Sequence, residues 1–543
     1  MSLKVETVET ADYIVVGSGC TGAIAAQTLV EAGAKVLMLD VGKQDNKYKP
    51  LIPDKDFLTI RETDQQQYRY LLGDNFEAIP WGNIKTGTHL TPPRQFMLDL
   101  VDRYLQVDSE NFSPLESLAY GGLGNGWGVG CYVFSKPELE KIGLDKTKMM
   151  SAYKTVSARI GISGAKDDAS PYTIGELDSY QAEFEIDTNA KSIYKRYLEK
   201  KQTLNKKDFF LGKPALAILT KDLGERKKIA YNDMEFYSDR DQSAYRPWIT
   251  VEELKKHPNF TYISDSLVTE FTENSDQVTV KAINTNTNEK ASYTSKKLLL
   301  ASGVLGTARI VLRSFQSEDK QLPLLCNPYG YIPCLQPTML GREIERHKMG
   351  FAQLSLFHDP NQQNFDIAMA SIYSYRSLML FRLIKESPLN FVDGRIFMKY
   401  FLSGIVVMGI HHPETNSNSK YLYLKRDETA ITGDKLKINY QLSDLEKQTI
   451  TQKENDYIWA MRTLGCYALK RVNPGYGSSI HYAGTLPFSE QNTAYTLAPT
   501  GRLNGTRSIY VADGSGFKYL PAKGLTFSLM ANAHLVAQSA LTE

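Results

Sequence analysis

Tyr13-Ile14-Val15-Val16-Gly17-Ser18-Gly19-Cys20-Thr21-Gly22 decides the fold of this chain. Four apolar residues read as a short buried strand. Three glycines in GxGxxG spacing end it and open a helix carrying Ala23, Ala26, Leu29 and Val30. Gly17 permits the tight turn, Gly19 lets a pyrophosphate approach the backbone, and Gly22 lets the helix lie against the strand, its first amides (Cys20, Thr21) facing the phosphates. A second strand, Lys35 to Leu39, delivers Asp40, whose carboxylate suits adenosine ribose hydroxyls and disfavours a 2′-phosphorylated cofactor. This order predicts an α/β fold with a Rossmann-type dinucleotide-binding domain. Nicotinamide and flavin folds share it, so other segments must choose between them.

Working outward, 543 residues imply two or more domains. Lys plus Arg (63) nearly balance Asp plus Glu (61), so no global field favours nucleic acid or an acidic membrane. Five scattered cysteines, none in CxxC spacing, fit free thiols in a reducing cytoplasm, and no metal site is expected. The amino terminus runs directly into a strand without the pattern of a signal peptide. No apolar run reaches the roughly 18 residues of a membrane span; Phe401 to Ile410 reads as a buried strand. Ser371 to Ile410 is rich in Leu, Phe, Met and Ile with basic residues between, which fits a hydrophobic core or, alternatively, a membrane-contacting site.

Three further segments carry cofactor character. Tyr120-Gly121-Gly122-Leu123-Gly124-Asn125-Gly126-Trp127-Gly128 is dense in glycine, as needed where backbone passes close to a flat ligand. Lys297 to Ala301 reads as a strand running into Ser302-Gly303 and a helix bearing Arg309 and Arg313. Ser508 to Val511 reads as another, followed by Ala512-Asp513-Gly514-Ser515.

Taken together, these pieces resemble the glucose-methanol-choline (GMC) oxidoreductases, FAD enzymes that oxidise alcohols. The family's motifs fall in order on Gly17 to Gly22, Gly121 to Gly128, Ala301 to Leu312, His481 to Thr485 and Tyr510 to Ala531. The resemblance implies that Asp513 and Gly514 meet the FAD pyrophosphate and ribitol, and that Val268 meets the adenine through its backbone. Trp127 resembles the sugar-oxidising branch. Gly126 stands where members with covalent flavin have histidine, which implies non-covalent FAD.

Removing a hydroxyl proton as hydride leaves the carbon requires a base beside the flavin, a task that suits imidazole. Of the eight histidines, His481 alone falls on the family's HxxGT position. The run Gly524 to Ala540 has helical apolar period, and its start, with Leu525 and with Thr526 as cap, is expected to aim amides at the flavin. One departure stands out. The family's second catalytic histidine or asparagine falls on Gly524, or on Lys523 if the alignment shifts. Either Lys523 reaches the site as a cation, or another group or water substitutes, or alcohol oxidation is lost. His89 lies in a segment that approaches the substrate channel in the family, although capping its own turn is the simpler role. His347, His358 and the pair His411-His412 have no companion at metal spacing.

The motifs imply an FAD-binding domain assembled from 1–50, 115–165, 247–324 and 477–543. A substrate domain comes from 172–246 and 325–476, with 51–114 as a cover. Lys420 to Leu424 and Lys435 to Tyr440 read as an antiparallel hairpin of the substrate-domain sheet. The leading expectation is an FAD-dependent oxidoreductase on CH–OH groups of a sugar or glycosylated small molecule. Oxygen, a quinone or a protein carrier is its electron acceptor. A lyase or isomerase on the same scaffold, or a flavin binder without turnover, are the alternatives.

Overall fold

The computed structural model describes residues 11–79, 91–232, 239–374 and 388–543. Ala11–Val16 lies between Val36–Leu39 and Lys290–Leu300, parallel to both. Phe260–Ile263 extends the sheet beyond Val36–Leu39, and Ile509–Val511 pairs with the end of Lys290–Leu300, again parallel. Val278–Asn284 and Ser266–Glu273 continue it as antiparallel strands. The central strands are apolar on both faces because both are covered. Val15 and Leu299 pack with Ala26, Leu29, Val536 and Ala540 of the helices Cys20–Glu31 and Thr526–Thr542. Ile14, Leu298 and Leu300 pack oppositely, with Val304 and Ala308 of the helix Val304–Ser314. Both faces thus follow the two-residue period of a strand.

A second, six-stranded antiparallel sheet runs in the order Tyr467–Ala468, Tyr329–Leu335, Ile405–His411, Ala368–Ser374, Leu354–His358, Phe209–Gly212. Tyr329 and Tyr331, Val407 and His411, and Met369, Ser371 and Tyr373 recur at every second position and face one cavity.

Two expectations need correction. Lys420–Arg426 and Asp434–Tyr440 do pair as a hairpin, but in a separate sheet with Val107–Asp108 and Leu322–Pro323. Alternation marks a half-buried strand without naming its neighbours. Here Asp434 is held by Arg313 Nε and Nη2, both at 2.7 Å, which ties the hairpin to the helix Val304–Ser314. Phe401 is not in a strand. Asn390 caps a helix Phe391–Leu402 by accepting from the Asp393 amide at 2.9 Å, and the strand begins only at Ile405.

Among the described residues no helix is long and apolar enough to cross a membrane. All five cysteines are free thiols.

Candidate active site

One cavity of about 1200 Å³ runs from the glycine fingerprint to His481. That exceeds the roughly 300–1,000 Å³ of ordinary ligand pockets, so it has room for a large cofactor and a second molecule. Its wall includes Gly17, Gly19, Cys20, Thr21, Asp40, Gly122, Gly126, Trp127, Gly128, Val268, Ser302, Gly303, Asp513, Gly514, Gly524, Leu525, Thr526 and His481. Gly22 and Gly121 stand behind it. A Cβ on Gly22 would collide with the Gly17 carbonyl, and the Gly121 amide donates to Ser18 Oγ at 2.8 Å.

The cradle fits a dinucleotide. Gly17 has φ +96°, and a Cβ there would lie 2.7 Å from the Ala301 carbonyl oxygen, so only glycine makes this turn. A Cβ on Gly19, Gly128 or Gly303 would meet nothing within 4 Å; these backbones border open cavity that a side chain would fill. Burial pushes the Asp40 carboxyl up to about 6, against hydrogen bonds from Ser18 and Tyr262. Both donate to Oδ2, and the backbone amides of Val41 and Ser18 also face the carboxyl. Asp513 is buried and accepts from Thr307 Oγ1 (2.5 Å) and from the Ser515 amide (3.0 Å). Trp127 is held by its Nε1 donating to the Tyr245 carbonyl at 2.9 Å. Thr526 is the first helical residue and not a cap. Leu525 precedes it in helical geometry with no side-chain acceptor, so the first-turn amides at the cavity edge have none.

His481 is positioned by register. Leu325–Cys326 pairs antiparallel with Tyr482–Ala483, Cys326 opposite Tyr482, which brings Asn327 beside His481. Asn327 Nδ2 faces three carbonyls, of His412 (2.7 Å), Pro521 (3.1 Å) and Leu520 (3.3 Å), and so is the donor end. Its Oδ1 is therefore the acceptor at 3.0 Å from His481 Nδ1. This fixes the proton on Nδ1 and leaves the Nε2 lone pair unengaged by any described residue. Burial lowers the His481 pKa to about 4, so the ring is neutral at pH 7.

His411, which the sequence reading set aside, stacks on His481 with ring centroids 4.8 Å apart and planes 20° apart. Its other neighbour is Tyr329, its partner across the strands, at 4.5 Å. Burial, with His481 and His412 nearby, holds its pKa well below the ordinary value. His411 makes no side-chain hydrogen bond to a described residue, and it lines the cavity. His412 faces away, with both ring nitrogens buried and without a hydrogen bond to a described residue, its Nε2 4.0 Å from Glu454 Oε1. Alternation along Ile405–His411 was the one signal for His411. Asn327, 154 positions from His481, had none.

Lys523 is corrected: it neither enters the cavity nor meets solvent. It is fully buried, and its Nζ lies 2.9 Å from Glu138 Oε2, 3.2 Å from Asn364 Oδ1 and 3.3 Å from the Val133 carbonyl oxygen. Glu138 is itself wholly buried, and a buried carboxylate requires such a partner. Gly524 does line the cavity, but a Cβ there would lie 3.2 Å from Tyr132 Cδ2, so the tyrosine fills the space a larger residue would need. His534 is bound to Thr28 Oγ1 at 2.8 Å, away from the cavity. His89 lies outside the described residues.

No protein-family profile matches the sequence, and no curated protein sequence matches it. The structure is similar to that of pyridoxine 4-oxidase from Mesorbium loti, with a TM-score of 0.59 and 12% identity, over 98% of this chain and 100% of that one. That likeness shows that the two chains share a fold.

Proposed function

We propose that the protein is an FAD-dependent oxidoreductase acting on CH–OH groups. The observation that carries this reading is the neutral His481, its Nδ1 proton fixed by Asn327 and its Nε2 unengaged, in the same cavity as the dinucleotide cradle. Gly17 to Thr21, Asp40, Val268, Ser302, Gly303, Asp513, Gly514 and the start of Thr526–Thr542 would hold FAD. Gly126 offers no side chain for a covalent link. Bound FAD supplies the acceptor for the hydride leaving the alcohol carbon.

This chain's residues do the rest. His481 Nε2 takes the hydroxyl proton as the C–O bond becomes a carbonyl, and Asn327 steadies the resulting imidazolium through Nδ1–H. His411 supplies a second imidazole at the substrate oxygen, in the place of the missing side chain at Gly524. The hydroxyls and ring faces of Tyr329, Tyr331 and Tyr373, with Trp127, suit a sugar or glycosylated small molecule, which is the substrate class we propose. The electron acceptor is oxygen, a quinone or a protein carrier.

Anaerobic mixing of holoenzyme with a panel of sugars and alcohols tests the reading. Bleaching of the oxidised flavin absorbance is expected, with His481→Ala slowing it by about 100-fold or more. A bare Gly524 is the feature that favours a second reading, a lyase or isomerase. Product formation with persistent oxidised flavin would establish that reading instead.

A further inference from the structure

The helix Phe391–Leu402 has its apolar residues on the wrong side for a helix in water. At about 100° per residue, Val392, Ile396 and Tyr400 form one stripe, Arg395 and Lys399 the next, and Gly394 and Met398 the one turned inward. The inward stripe is buried. The apolar stripe is the most outward: Val392 is 64% exposed, Ile396 62% and Tyr400 57%. An amphipathic helix on a globular surface places charged residues on that arc. A contiguous exposed apolar patch of this kind marks a binding surface.

We infer that this helix docks the protein on an anionic lipid surface. Arg395 and Lys399 border the apolar stripe, and neither forms an ion pair with a described residue. The helix holds one acid, Asp393, whose carboxylate is engaged by Asn390 Nδ2. An apolar ridge with cations along its edge is the pattern of an interfacial helix, which sinks the ridge among acyl chains and leaves the cations at the headgroups. A second copy of the chain would bring only the same cationic stripe and the same engaged acid. Leu402, at the end of the helix, lines the cavity, so docking sets the cavity rim against the headgroup layer.

Co-sedimentation of the holoenzyme with vesicles of phosphatidylcholine, alone or mixed with phosphatidylglycerol, tests this independently of any turnover. The wild type is expected to bind the mixed vesicles. Ile396→Glu should abolish binding while leaving flavin content and melting temperature unchanged, since the residue sits at the centre of the outward stripe and is 62% exposed. Arg395→Gln with Lys399→Gln should weaken binding to the mixed vesicles about 25-fold, at about fivefold per cation, and leave binding to pure phosphatidylcholine unaltered. The inference is overturned if the wild type stays in the supernatant with both vesicle types, or if Ile396→Glu binds as wild type does. It is also overturned if sedimentation velocity shows a dimer that Ile396→Glu dissociates while vesicles bind neither form.

Discussion

Asn327 offers the sharpest perturbation of the proposed base. Asn327→Leu removes the acceptor for His481 Nδ1–H and the donor to the carbonyls of His412, Pro521 and Leu520. A hydrogen bond of this kind contributes about 0.5–1.5 kcal/mol net, or about 2- to 13-fold in the population of the productive tautomer. Flavin reduction should therefore slow by about tenfold, well short of the roughly 100-fold or more expected for His481→Ala. The carbonyls left without a donor should cost about 1–3 kcal/mol of stability. Asn327→Asp differs in kind, because it keeps the acceptor and adds a negative charge beside the ring. An opposite charge at this range favours the imidazolium by about 1–3 pH units. The acid limb of kcat/KM, set near pH 4 by burial of neutral His481, should then rise to about 5–7, because a base with a higher pKa is protonated sooner as pH falls. Anaerobic stopped-flow reduction across a pH series reads both effects. If Asn327→Leu stays within twofold of wild type and Asn327→Asp leaves the acid limb in place, Asn327 does not set the state of His481.

Three other predictions follow from the geometry. Gly19→Val should leave the melting temperature of flavin-free protein unaltered, because its Cβ meets no atom within 4 Å, yet abolish flavin retention by filling the cradle; full flavin content would refute the role of that surface. Lys523→Met should destabilise by about 3–5 kcal/mol in denaturant titration by stranding Glu138, and adding Glu138→Leu should restore much of the loss; equal destabilisation in both variants would show that charge pairing is not the cause. Burial lowers the His412 pKa to about 3, so between about pH 6.5 and pH 3 the unfolded chain binds the extra proton and stability falls as pH falls, by at most about 1.4 kcal/mol per unit; His412→Leu should flatten that dependence in melting curves.

Some of the site was legible because its information is local. Gly17 to Gly22 and the flanking strands encode a turn, a helix start and their period within thirty residues, so cradle and parallel sheet could be read from spacing. His481 stood out by its motif. Lys523 misled because a lysine beside a glycine turn looks solvated or available, and Glu138, 385 positions away, gives no sign in the sequence of claiming it. Gly524 could be seen as a missing side chain, but not that Tyr132 occupies its space.

The sequence by itself determined the nucleotide-type opening, the acid at Asp40, the histidine in its motif and the departure at Gly524. Each is a matter of residue type at short spacing, where backbone geometry follows from few neighbours. Only the tertiary structure decided which imidazole nitrogen is left unengaged, which second histidine stands beside it, and that Lys523 is bound to an acid. It also decided that the helix Phe391–Leu402 turns its apolar stripe outward. These depend on strand register and packing between segments far apart in the chain, and a one-residue shift in register would reverse which side chains face the cavity.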